Sequence, residues 1–332
     1  MLITGSSGML GVDLCGELHD SYEIIGTDVV HRCRAGLNLP YSRKARSFFR
    51  CDITKKQSVL SVIKKTRPDI VIHAAAWTDV DGCELNPKKA YRINSEGTKN
   101  VALACKAAGA ILIYISTDFI FDGRKKKPYK EADKVNPLSV YADSKLKGEE
   151  AVKKILKDYF ILRTGWLYGK HGKNFVDTIL AKAKPFGKGS GLRPERSRGT
   201  KSRKVLRVVN DQVGSPTYTR DLVKAIHVLL EMVTRLPGHQ VTSSSSRAHF
   251  SVPYGIYHLS NSMSVSWFNY AKEILRLAGS KAKVMPISSE ELNRPAKRPA
   301  MSVLDNTKFI KFTGYRMCKW QEALREYIHP GV

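Results

Sequence analysis

The sequence predicts an α/β protein in which helices cover both faces of a doubly wound parallel sheet. Its first half alternates short apolar runs with stretches whose apolar residues recur at helical spacing. Alternation of this kind indicates parallel strands joined by helical crossovers. A glycine-rich turn directly after the first apolar run supports the same fold class, because such turns connect a strand to a helix in these sheets.

The predicted elements follow one another in a regular order. "MLITG" is the first strand and "GMLGVDLCGELHD" the helix after it. "YEIIGTD" is a strand, "SVLSVIKKTRP" a helix that stops at a proline, and "DIVIHAAA" the next strand. "PKKAYRINSEGTKNVALACKAAG" is a long helix that closes on glycine, followed by the strand "AILIYIST", the helix "SVYADSKLKGEEAVKKIL" and the strand "YFILRTG". The carboxyl ends of these strands should meet at one edge, where a doubly wound sheet has its ligand crevice.

The second half of the chain is less regular. Apolar spacing predicts helices in "NFVDTILAKAKP", "TRDLVKAIHVLLEMV" and "SVSWFNYAKEILRLAG", the last with Ser266 as its cap. The stretches "LRVVNDQ" and "GIYHLSN" are predicted strands. Residues 186–204 are rich in Gly, Ser and basic residues, and residues 236–253 contain a serine run. Both are expected to be surface insertions.

Composition indicates a soluble globular protein. The chain is 42% hydrophobic and 9% aromatic, which suits a packed core. No stretch approaches the roughly 18 consecutive apolar residues that a membrane helix needs. The N-terminus enters a strand and a glycine turn at once, without the pattern of a signal peptide, and the six cysteines include no C-x-x-C pair. We therefore expect reduced thiols, a cytoplasmic location and no membrane partner.

The net charge of +26 is concentrated in two stretches. Residues 31–50 hold six basic residues and no acidic one, and residues 182–207 hold ten basic residues and one acidic residue. Positive fields favour anionic partners, which include both nucleotide-linked substrates and nucleic acids. Solvated loop charge without a partner explains the pattern equally well. Because no nucleic-acid-binding motif is recognisable, nucleic acid is the less favoured partner.

The turn after the first strand has a G-x-x-G-x-x-G spacing. Its backbone N–H groups and the positive end of the following helix could bind a pyrophosphate, although glycines at this spacing also occur in simple turns. Asp28 ends the second strand, where a carboxylate can accept a hydrogen bond from a ribose 2′-OH. His31, Arg32 and Arg34 could instead meet a 2′-phosphate, so both NADH and NADPH are candidates. The cofactor contacts expected in the turn are Gly5, Ser7, Gly8, Met9, Leu10 and Gly11.

Asp52 and Ile53 follow a further short apolar run. A carboxylate at this place could hold the amino group of an adenine. Asp52 could equally cap the helix after it, and the two roles are compatible. The pair is therefore a candidate for the adenine end of a dinucleotide site.

Tyr141 and Lys145 form a Y-x-x-x-K pattern in a predicted helix, which places both side chains on one face. A lysine cation lowers the pKa of a neighbouring phenol, which can then donate its proton to a carbonyl oxygen as hydride arrives at the carbon. Thr117 adds a hydroxyl at the end of the strand in "ISTDFIFDG". Each signal alone also fits an exposed helix face or a strand terminus. Together with the N-terminal turn they predict a nicotinamide-dependent redox site.

Longer motifs carry the most specific signal. They are, in chain order, "HAAAWTDVDGCE", "RINSEGTKNVA", "STDFIFDG", "YADSKLKGE", "RTGWLYG", "NFVDTIL", "RVVNDQVGSPTYTRDL", "GIYHLSN" and "RPAKRPAMSVLDNTKF". This series resembles the extended short-chain dehydrogenase/reductases, and specifically the dTDP-4-dehydrorhamnose reductase family, over most of the chain. The resemblance implies a Rossmann domain in residues 1–165 and a mainly substrate-binding region in residues 166–332, with elements that return to the Rossmann core. It also implies NAD(P)H-dependent reduction of the C4 keto group of dTDP-4-dehydro-L-rhamnose.

The resemblance implies a role for each candidate site residue. Thr117 would hydrogen-bond the substrate carbonyl, Tyr141 would donate the proton, and Lys145 would hold the nicotinamide ribose. Asn94 resembles an asparagine that supports the lysine through water. Trp166 would lie near the sugar, although it could also be a core residue. The cofactor would further contact Ala74, Ala75, Ala76 and Asn94, and the sugar Thr78, Asp118 and Asn174.

Several alternatives stay open. Sugar-nucleotide dehydratases of this fold place a glutamate after the strand-end aspartate, whereas this chain has Phe119, which argues against dehydration. The substrate could be another nucleotide-linked 4-ketosugar. A non-catalytic regulatory subunit of the methionine adenosyltransferase type resembles the same family. A homodimer is possible, no metal-binding cluster is recognisable, and the basic insertion 186–204 departs from the short link expected in the family.

Overall fold

The computed structural model describes residues 1–30, 47–183, 205–235 and 252–331. The predicted insertion 186–204 lies outside these described residues, and so do residues 236–251 of the second insertion. Most of the basic stretch 31–50 lies outside them as well. The expectations for these stretches therefore stay predictions.

The central sheet is parallel throughout and confirms the predicted fold class. Its order is β3-β2-β1-β4-β5-β6-β11, with every neighbouring pair parallel. This order reverses direction at β1, which is the switch point of a doubly wound sheet. In chain order the strands are β1 (Leu2–Thr4), β2 (Ile25–Asp28), β3 (Phe48–Arg50), β4 (Ile70–His73), β5 (Ile111–Thr117), β6 (Tyr159–Thr164), β7 (Leu167–Tyr168), β8 (Val205–Val209), β9 (Val213–Gly214), β10 (Thr217–Tyr218), β11 (Gly255–His258), β12 (Val265–Ser266) and β13 (Lys283–Ile287).

Helices cover both faces of this sheet. In chain order, the α-helices of the described residues are α1 (Met9–Glu17), α2 (Lys56–Thr66), α3 (Val80–Leu85), α4 (Pro87–Tyr91), α5 (Thr98–Ala108), α6 (Val140–Ile155), α7 (Phe175–Ala183), α8 (Thr219–Arg235), α9 (Trp267–Leu277), α10 (Ser289–Leu292), α11 (Thr307–Thr313) and α12 (Trp320–Ile328). The predicted long helix before β5 is divided, because a π-helical stretch, Arg92–Gly97, separates α4 from α5. Such wide turns frequently occur at functional sites.

Local chemistry explains where the elements at the site begin and end. The Ser139 hydroxyl accepts a hydrogen bond from the backbone N–H of Ala142 and so caps α6. Ser266 caps α9 in the same way, as its sequence predicts. α5 ends at Gly109, whose φ of 67° suits a residue without a Cβ. All seven residues of β5 are buried because helices pack on both faces of this central strand.

Two apolar cores lie on opposite faces of the sheet. On one face, Leu14 of α1 and Leu222 of α8 belong to the core that contains Ile72 of β4. On the other face, α2, α5 and α6 pack on β4 and β5 through such residues as Val101. β11 and α8 come from the second half of the chain, so part of that half packs on the central sheet.

A third core in the second half is mainly aromatic. Tyr168, Tyr218, Tyr270, Trp320 and Tyr327 are buried in it between short paired strands and the helices α7, α9 and α12. The strand pairs are β7 with β10, β8 with β13, and β9 with β12. Within the described residues, no helix combines the length and apolar character needed to cross a membrane.

Candidate active site

A cavity of about 410 Å³ opens at the carboxyl ends of β1, β4, β5 and β6. The glycine turn after β1 forms one wall. The residues that end β5 and the first turns of α6 form a second wall, and Trp166, Lys173 and Trp267 from the second half form a third. The site therefore lies at the crevice expected for this sheet.

The glycine turn is packed so tightly that side chains are excluded at two of its positions. Gly5 has a φ of 70°, and a Cβ there would stand 2.7 Å from the backbone nitrogen of Ala75. A Cβ on Gly11 would stand 2.1 Å from the carbonyl oxygen of Gly5. α1 begins at Met9, and Gly8, Met9, Leu10 and Gly11 line the cavity. The turn thus presents the N-terminus of a helix to the cavity, which is the arrangement that binds a pyrophosphate.

The three candidate catalytic side chains line the cavity together. Thr117 is the last residue of β5, while Tyr141 and Lys145 lie one turn apart in α6. The pairing of β5 with β6 and the packing of α6 on β5 bring residues 24 positions apart to one wall. The Thr117 hydroxyl lies close enough to the Tyr141 hydroxyl to act on its pKa.

The pKa of Tyr141 is raised, mainly because burial disfavours the phenolate. The nearby Thr117 hydroxyl acts in the opposite direction and is the weaker effect. The sequence-based expectation that Lys145 lowers this pKa is therefore wrong for the protein alone. Its ammonium group instead donates to the carbonyl oxygen of Ile115. Tyr141 is a neutral phenol near pH 7 and holds a proton that it can donate.

Lys145 is buried at the carbonyl end of β5. Its Nζ donates a hydrogen bond of 2.7 Å to the oxygen of Ile115 and lies 4.2 Å from the ring centroid of Tyr114. Burial lowers the pKa of Lys145 to about 7, and the charge of Glu149 partly opposes this. Glu149 is paired in turn with Arg163, with a 2.7 Å separation between Nη2 and Oε2. The lysine side chain is thus held in place beside the catalytic hydroxyls.

Asp118 also lies in the cavity wall, as predicted. Its side chain is 2% exposed, and burial raises its pKa to about 7. The Thr117 hydroxyl donates to its Oδ1 over 3.2 Å. A Cβ on Gly165 would stand 2.3 Å from the carboxyl carbon, so the glycine leaves the space that this carboxyl occupies.

Asp28 closes the glycine turn against β2. Its Oδ2 accepts a hydrogen bond from the backbone N–H of Ser7 over 3.1 Å, and its Oδ1 accepts one from Val29 over 2.7 Å. A carboxylate has further lone pairs, so these two bonds leave acceptor capacity for a ribose hydroxyl. Because Arg32 and Arg34 lie outside the described residues, a choice between NADH and NADPH stays a prediction.

Asp52 and Ile53 lie outside the cavity wall. The Asp52 Oδ1 accepts hydrogen bonds from the backbone N–H and the hydroxyl of Thr54, at 3.0 and 2.7 Å. The expected cap of α2 is wrong in detail, since Lys55 is the N-cap and Asp52 closes the turn before it. The Ile53 side chain is buried against Gly97. Adenine binding by this pair stays a prediction.

The three alanines after β4 divide between two roles. Ala74 and Ala76 line the cavity. Ala75 packs against the glycine turn, and its backbone N–H donates to the Thr4 hydroxyl over 3.4 Å. Small side chains are therefore needed here both for the cavity and for the close approach of β4 to the turn.

Asn94 lies behind the cavity wall and is fully buried. Its amide forms two hydrogen bonds with the backbone of Trp77, at 2.8 and 3.1 Å, and donates to the Ser144 hydroxyl over 3.1 Å. The π-helical turn thus joins the segment after β4 to the helix that carries Tyr141 and Lys145. Asn94 supports the lysine helix directly, and its predicted contact with the cofactor has no counterpart in this geometry.

The comparisons with known proteins agree with this geometry. The family described as RmlD substrate binding domain matches residues 1–331. The chain belongs to this family. It is 36% identical to the spore coat polysaccharide biosynthesis protein SpsK of Bacillus subtilis, over 99% of this chain and 96% of that protein. It is also 36% identical to a dTDP-4-dehydrorhamnose reductase of Streptomyces griseus, over 98% of this chain and 91% of the relative.

A solved structure extends the likeness to three dimensions. The dTDP-4-dehydrorhamnose reductase of Bacillus anthracis in complex with NADP is 35% identical to this chain, with a TM-score of 0.78, and covers 98% of this chain and 97% of its own. Relatives that carry a reductase name thus resemble this protein in both sequence and fold. The predicted family and fold class are confirmed.

Two of the predicted sugar contacts line the cavity beside Asp118, and one does not. Thr78 and Trp166 lie in its wall. Asn174 instead caps α7, where its Oδ1 accepts from the backbone N–H of Asp177 over 2.9 Å and its Nδ2 donates to the Gly169 oxygen over 2.9 Å. Because its amide is engaged in these structural bonds away from the cavity, the geometry gives no support to substrate binding by Asn174.

Sequence reasoning missed three cavity residues from the second half, Leu167, Lys173 and Trp267. Lys173 directly precedes the motif "NFVDTIL", and Trp267 follows the capping residue Ser266. Their position in the wall depends on how the second half packs, and no local spacing indicates it. Within the described parts of the chain, no three metal-binding side chains form a cluster.

Proposed function

We propose that this protein reduces the C4 keto group of dTDP-4-dehydro-L-rhamnose to the hydroxyl of dTDP-L-rhamnose, with NADH or NADPH as reductant. The observation that carries the proposal is the placement of Thr117, Tyr141 and Lys145 in one cavity wall, opposite a helix N-terminus built for a diphosphate. Family relatives of nearly the same length that carry this reductase name support the choice of reaction.

The cavity suits a dinucleotide. The Cβ atoms that Gly5 and Gly11 lack would clash with the backbone of Ala75 and of the turn itself, and α1 begins at Met9 in the cavity wall, so its first backbone N–H groups would be available to a diphosphate. Residues 8–11 would hold the diphosphate, Asp28 the adenosine ribose, and Ala74 and Ala76 would allow close approach of the nicotinamide half. Bound NAD(P)H supplies the hydride that reduces the keto carbon.

The residues of the chain supply the proton and the orientation. The Tyr141 phenol would donate its proton to the C4 oxygen as that oxygen becomes negative. The Thr117 hydroxyl, which lies close to Tyr141, would hold the same oxygen in reach of the phenol. Lys145 would contact the nicotinamide ribose, and its positive charge would stabilise the phenolate that remains after proton transfer.

The substrate would occupy the part of the cavity between the catalytic wall and the second half. Thr78, Asp118 and Trp166 line that part and would contact the deoxysugar. The Lys173 side chain, in the same wall, would favour the negative diphosphate of the nucleotide sugar. These contacts would hold the sugar ring beside Tyr141, as the reaction requires.

Oxidation of NADPH and NADH with a panel of nucleotide-linked 4-ketosugars tests this function. We expect turnover with dTDP-4-dehydro-L-rhamnose and formation of dTDP-L-rhamnose, identified by mass and by proton NMR of the product. Faster turnover of a different 4-ketosugar would replace the substrate and keep the reaction. Folded protein that oxidises neither cofactor with any panel member would exclude the enzyme and favour a regulatory subunit.

We further propose that the protein acts in the cytoplasm. Cys51, Cys83, Cys105 and Cys318 form no disulfide, which fits a reducing compartment. A homodimer stays a prediction, and light scattering of the purified protein would decide it. Cell fractionation with an antibody against the protein would test the location.

A further inference from the structure

Two tryptophans from distant parts of the chain stack on each other in the cavity wall. The indoles of Trp166 and Trp267 are parallel within 2°, with their centroids 3.4 Å apart. Both side chains line the cavity. Full overlap of this kind is not the arrangement that aromatic pairs prefer by themselves, so surrounding residues must hold the pair together.

Gly214 covers the other face of Trp166. A Cβ on Gly214 would stand 2.3 Å from Cε2 of Trp166, and farther from Nε1 and Cζ2, at 2.5 and 2.7 Å. Because Cε2 is bonded to both of these atoms yet is the nearest, the Cβ would lie above the ring and not beside its edge. Trp267 must cover the opposite face, since an indole stacked on the same face would be closer to this Cβ than Trp166 is.

Three segments of the chain form this arrangement of Trp166 between Gly214 and Trp267, which is called the tryptophan sandwich below. β9 pairs with β12, and Gly214 is opposite Val265, two residues before Trp267. Strand pairing therefore brings Gly214 and Trp267 to Trp166 together. The Phe175 ring packs on Trp267 from outside, with centroids 4.3 Å apart.

The backbone at Trp166 is strained. Its φ is 51°, in the left-handed region that residues with a Cβ seldom adopt. Such a conformation costs free energy and persists where surrounding contacts over-determine it. The tryptophan sandwich supplies these contacts, because the indole of Trp166 cannot turn without moving Trp267 or β9.

With both faces covered, Trp166 can present only its edge to a ligand. The edge of an aromatic ring is electropositive, whereas its faces are electronegative. An edge therefore suits electron-rich groups such as the oxygen atoms of a sugar, and the covered faces leave no surface of Trp166 on which a base could stack. This assigns Trp166 a chemical preference that depends on the two residues that enclose it.

We propose that Trp267 and Gly214 are positioning residues that hold the edge of Trp166 toward the oxygen atoms of the sugar in a nucleotide-linked ketosugar. The inference rests on the proposed function and deepens it, because it names what sets the sugar preference of the site. Neither residue takes part in proton transfer. Their loss should therefore act on substrate KM, with little effect on cofactor affinity.

Trp267→Ala, Trp267→Phe and Gly214→Ala test the proposal through steady-state kinetics and NADPH affinity. We expect Trp267→Ala to raise KM for the ketosugar about three- to tenfold, the range that corresponds to a lost aromatic contact. Trp267→Phe keeps a ring against Trp166, so its KM should stay close to that of the wild type. Gly214→Ala leaves Trp267 intact but pushes Trp166 from its place, so KM should rise again. The dissociation constant of NADPH, measured by calorimetry, should stay unchanged in all three.

Phe268→Ala is the matched control. Phe268 is the next residue of α9 and packs against the same aromatic core, but it does not line the cavity. Its variant should lose some thermal stability while KM stays unchanged. A rise in KM equal to that of Trp267→Ala would show a general loss of packing and overturn the proposal.

Two further outcomes separate this inference from the proposed function. If the wild-type protein turns over a ketosugar and the three variants share its KM, the inference is wrong and the function stands. If the wild type turns over no member of the panel, the function is wrong and the inference, which depends on it, is wrong as well. Parallel weakening of NADPH binding in Trp267→Ala would also overturn the positioning role.

Discussion

The two sides of the cavity are built in different ways. The wall proposed to bind the cofactor, called the cofactor side below, consists of a glycine turn, the start of α1 and small side chains after β4, so that backbone forms much of it. The wall proposed to bind the substrate, called the substrate side below, consists of large side chains such as Trp166 and Trp267, which short strand pairs bring together. A backbone site depends on residues that leave space, whereas a side-chain site depends on the neighbours that hold each group. The two sides should therefore respond differently to substitution.

The largest effect is expected between the two sides, at the proposed proton donor. Tyr141→Phe removes the hydroxyl that lies close to Thr117 and should lower kcat/KM about 10²- to 10⁴-fold, the usual contribution of a general acid. NADPH affinity should change little. Tyr91→Phe is the control, because the Tyr91 hydroxyl donates to Asp143 over 2.6 Å outside the cavity wall. Equal activity of Tyr141→Phe and wild type would remove Tyr141 from the mechanism.

A single added methyl group in the glycine turn should weaken the binding of NADPH. Gly11→Ala would place a Cβ 2.1 Å from the Gly5 oxygen, so the turn must shift and NADPH affinity should fall about 10- to 100-fold. Gly16 lies in the same helix with no atom within 4 Å of its Cβ position. Gly16→Ala should stabilise the protein by about 0.5–1 kcal/mol and keep its NADPH affinity. Calorimetry and urea unfolding of both variants would check the contrast, and equal NADPH affinities would contradict it.

Asp118 gives the substrate side a pH dependence. Burial raises its pKa to about 7, so the native state binds a proton that the unfolded state, with a pKa near 4, has lost. The contribution of Asp118 to the free energy of unfolding is therefore fully present below about pH 4 and is lost as pH rises to about 7. Asp118→Asn should remove this slope and make the protein about 1–4 kcal/mol more stable than wild type at pH 8.

Urea unfolding of both proteins between about pH 3 and pH 8, a range that includes both pKa values, would measure the difference. Asp122→Asn is the control with the opposite sign. The Arg124 backbone N–H holds the pKa of Asp122 below its usual value, so its contribution is present at neutral pH and lost on acidification. A stability difference between wild type and Asp118→Asn that does not vary with pH would contradict the argument.

The smallest effect is expected where the two sides are joined. Asp81, next to the cavity residue Val80, pairs with Arg294 and Arg298 at 2.9 and 3.0 Å. Asp81→Asn should destabilise the protein by about 1 kcal/mol, and less at high salt, because the pair is partly exposed. Glu273→Gln breaks an exposed pair with Arg276 within α9 and should have almost no effect. Thermal unfolding at low and high salt would rank the two variants, and equal shifts would contradict the joining role.

Part of the site could be predicted from the sequence because its signals are local. The glycine spacing, the Y-x-x-x-K pattern and the strand-end Thr117 each lie within a few residues of the element that positions them. The Asn174 prediction failed to find support because a motif shows that a residue belongs to the family, but not which way its amide points. Trp267 was missed because its place in the wall follows from the pairing of β9 with β12, at a separation of about 50 residues.

The order of apolar runs and turns was enough to establish a doubly wound sheet, since strand and helix periodicity are properties of neighbouring residues. The Y-x-x-x-K pattern and the glycine spacing likewise predict a proton donor and a diphosphate turn, and both motifs line the cavity. The raised pKa values of Tyr141 and Asp118, the lowered pKa of Lys145 and the covered faces of Trp166 depend on burial and on partners far along the chain. Packing alone determines these properties, because desolvation and contact are set by the folded environment of a group and not by its neighbours in sequence.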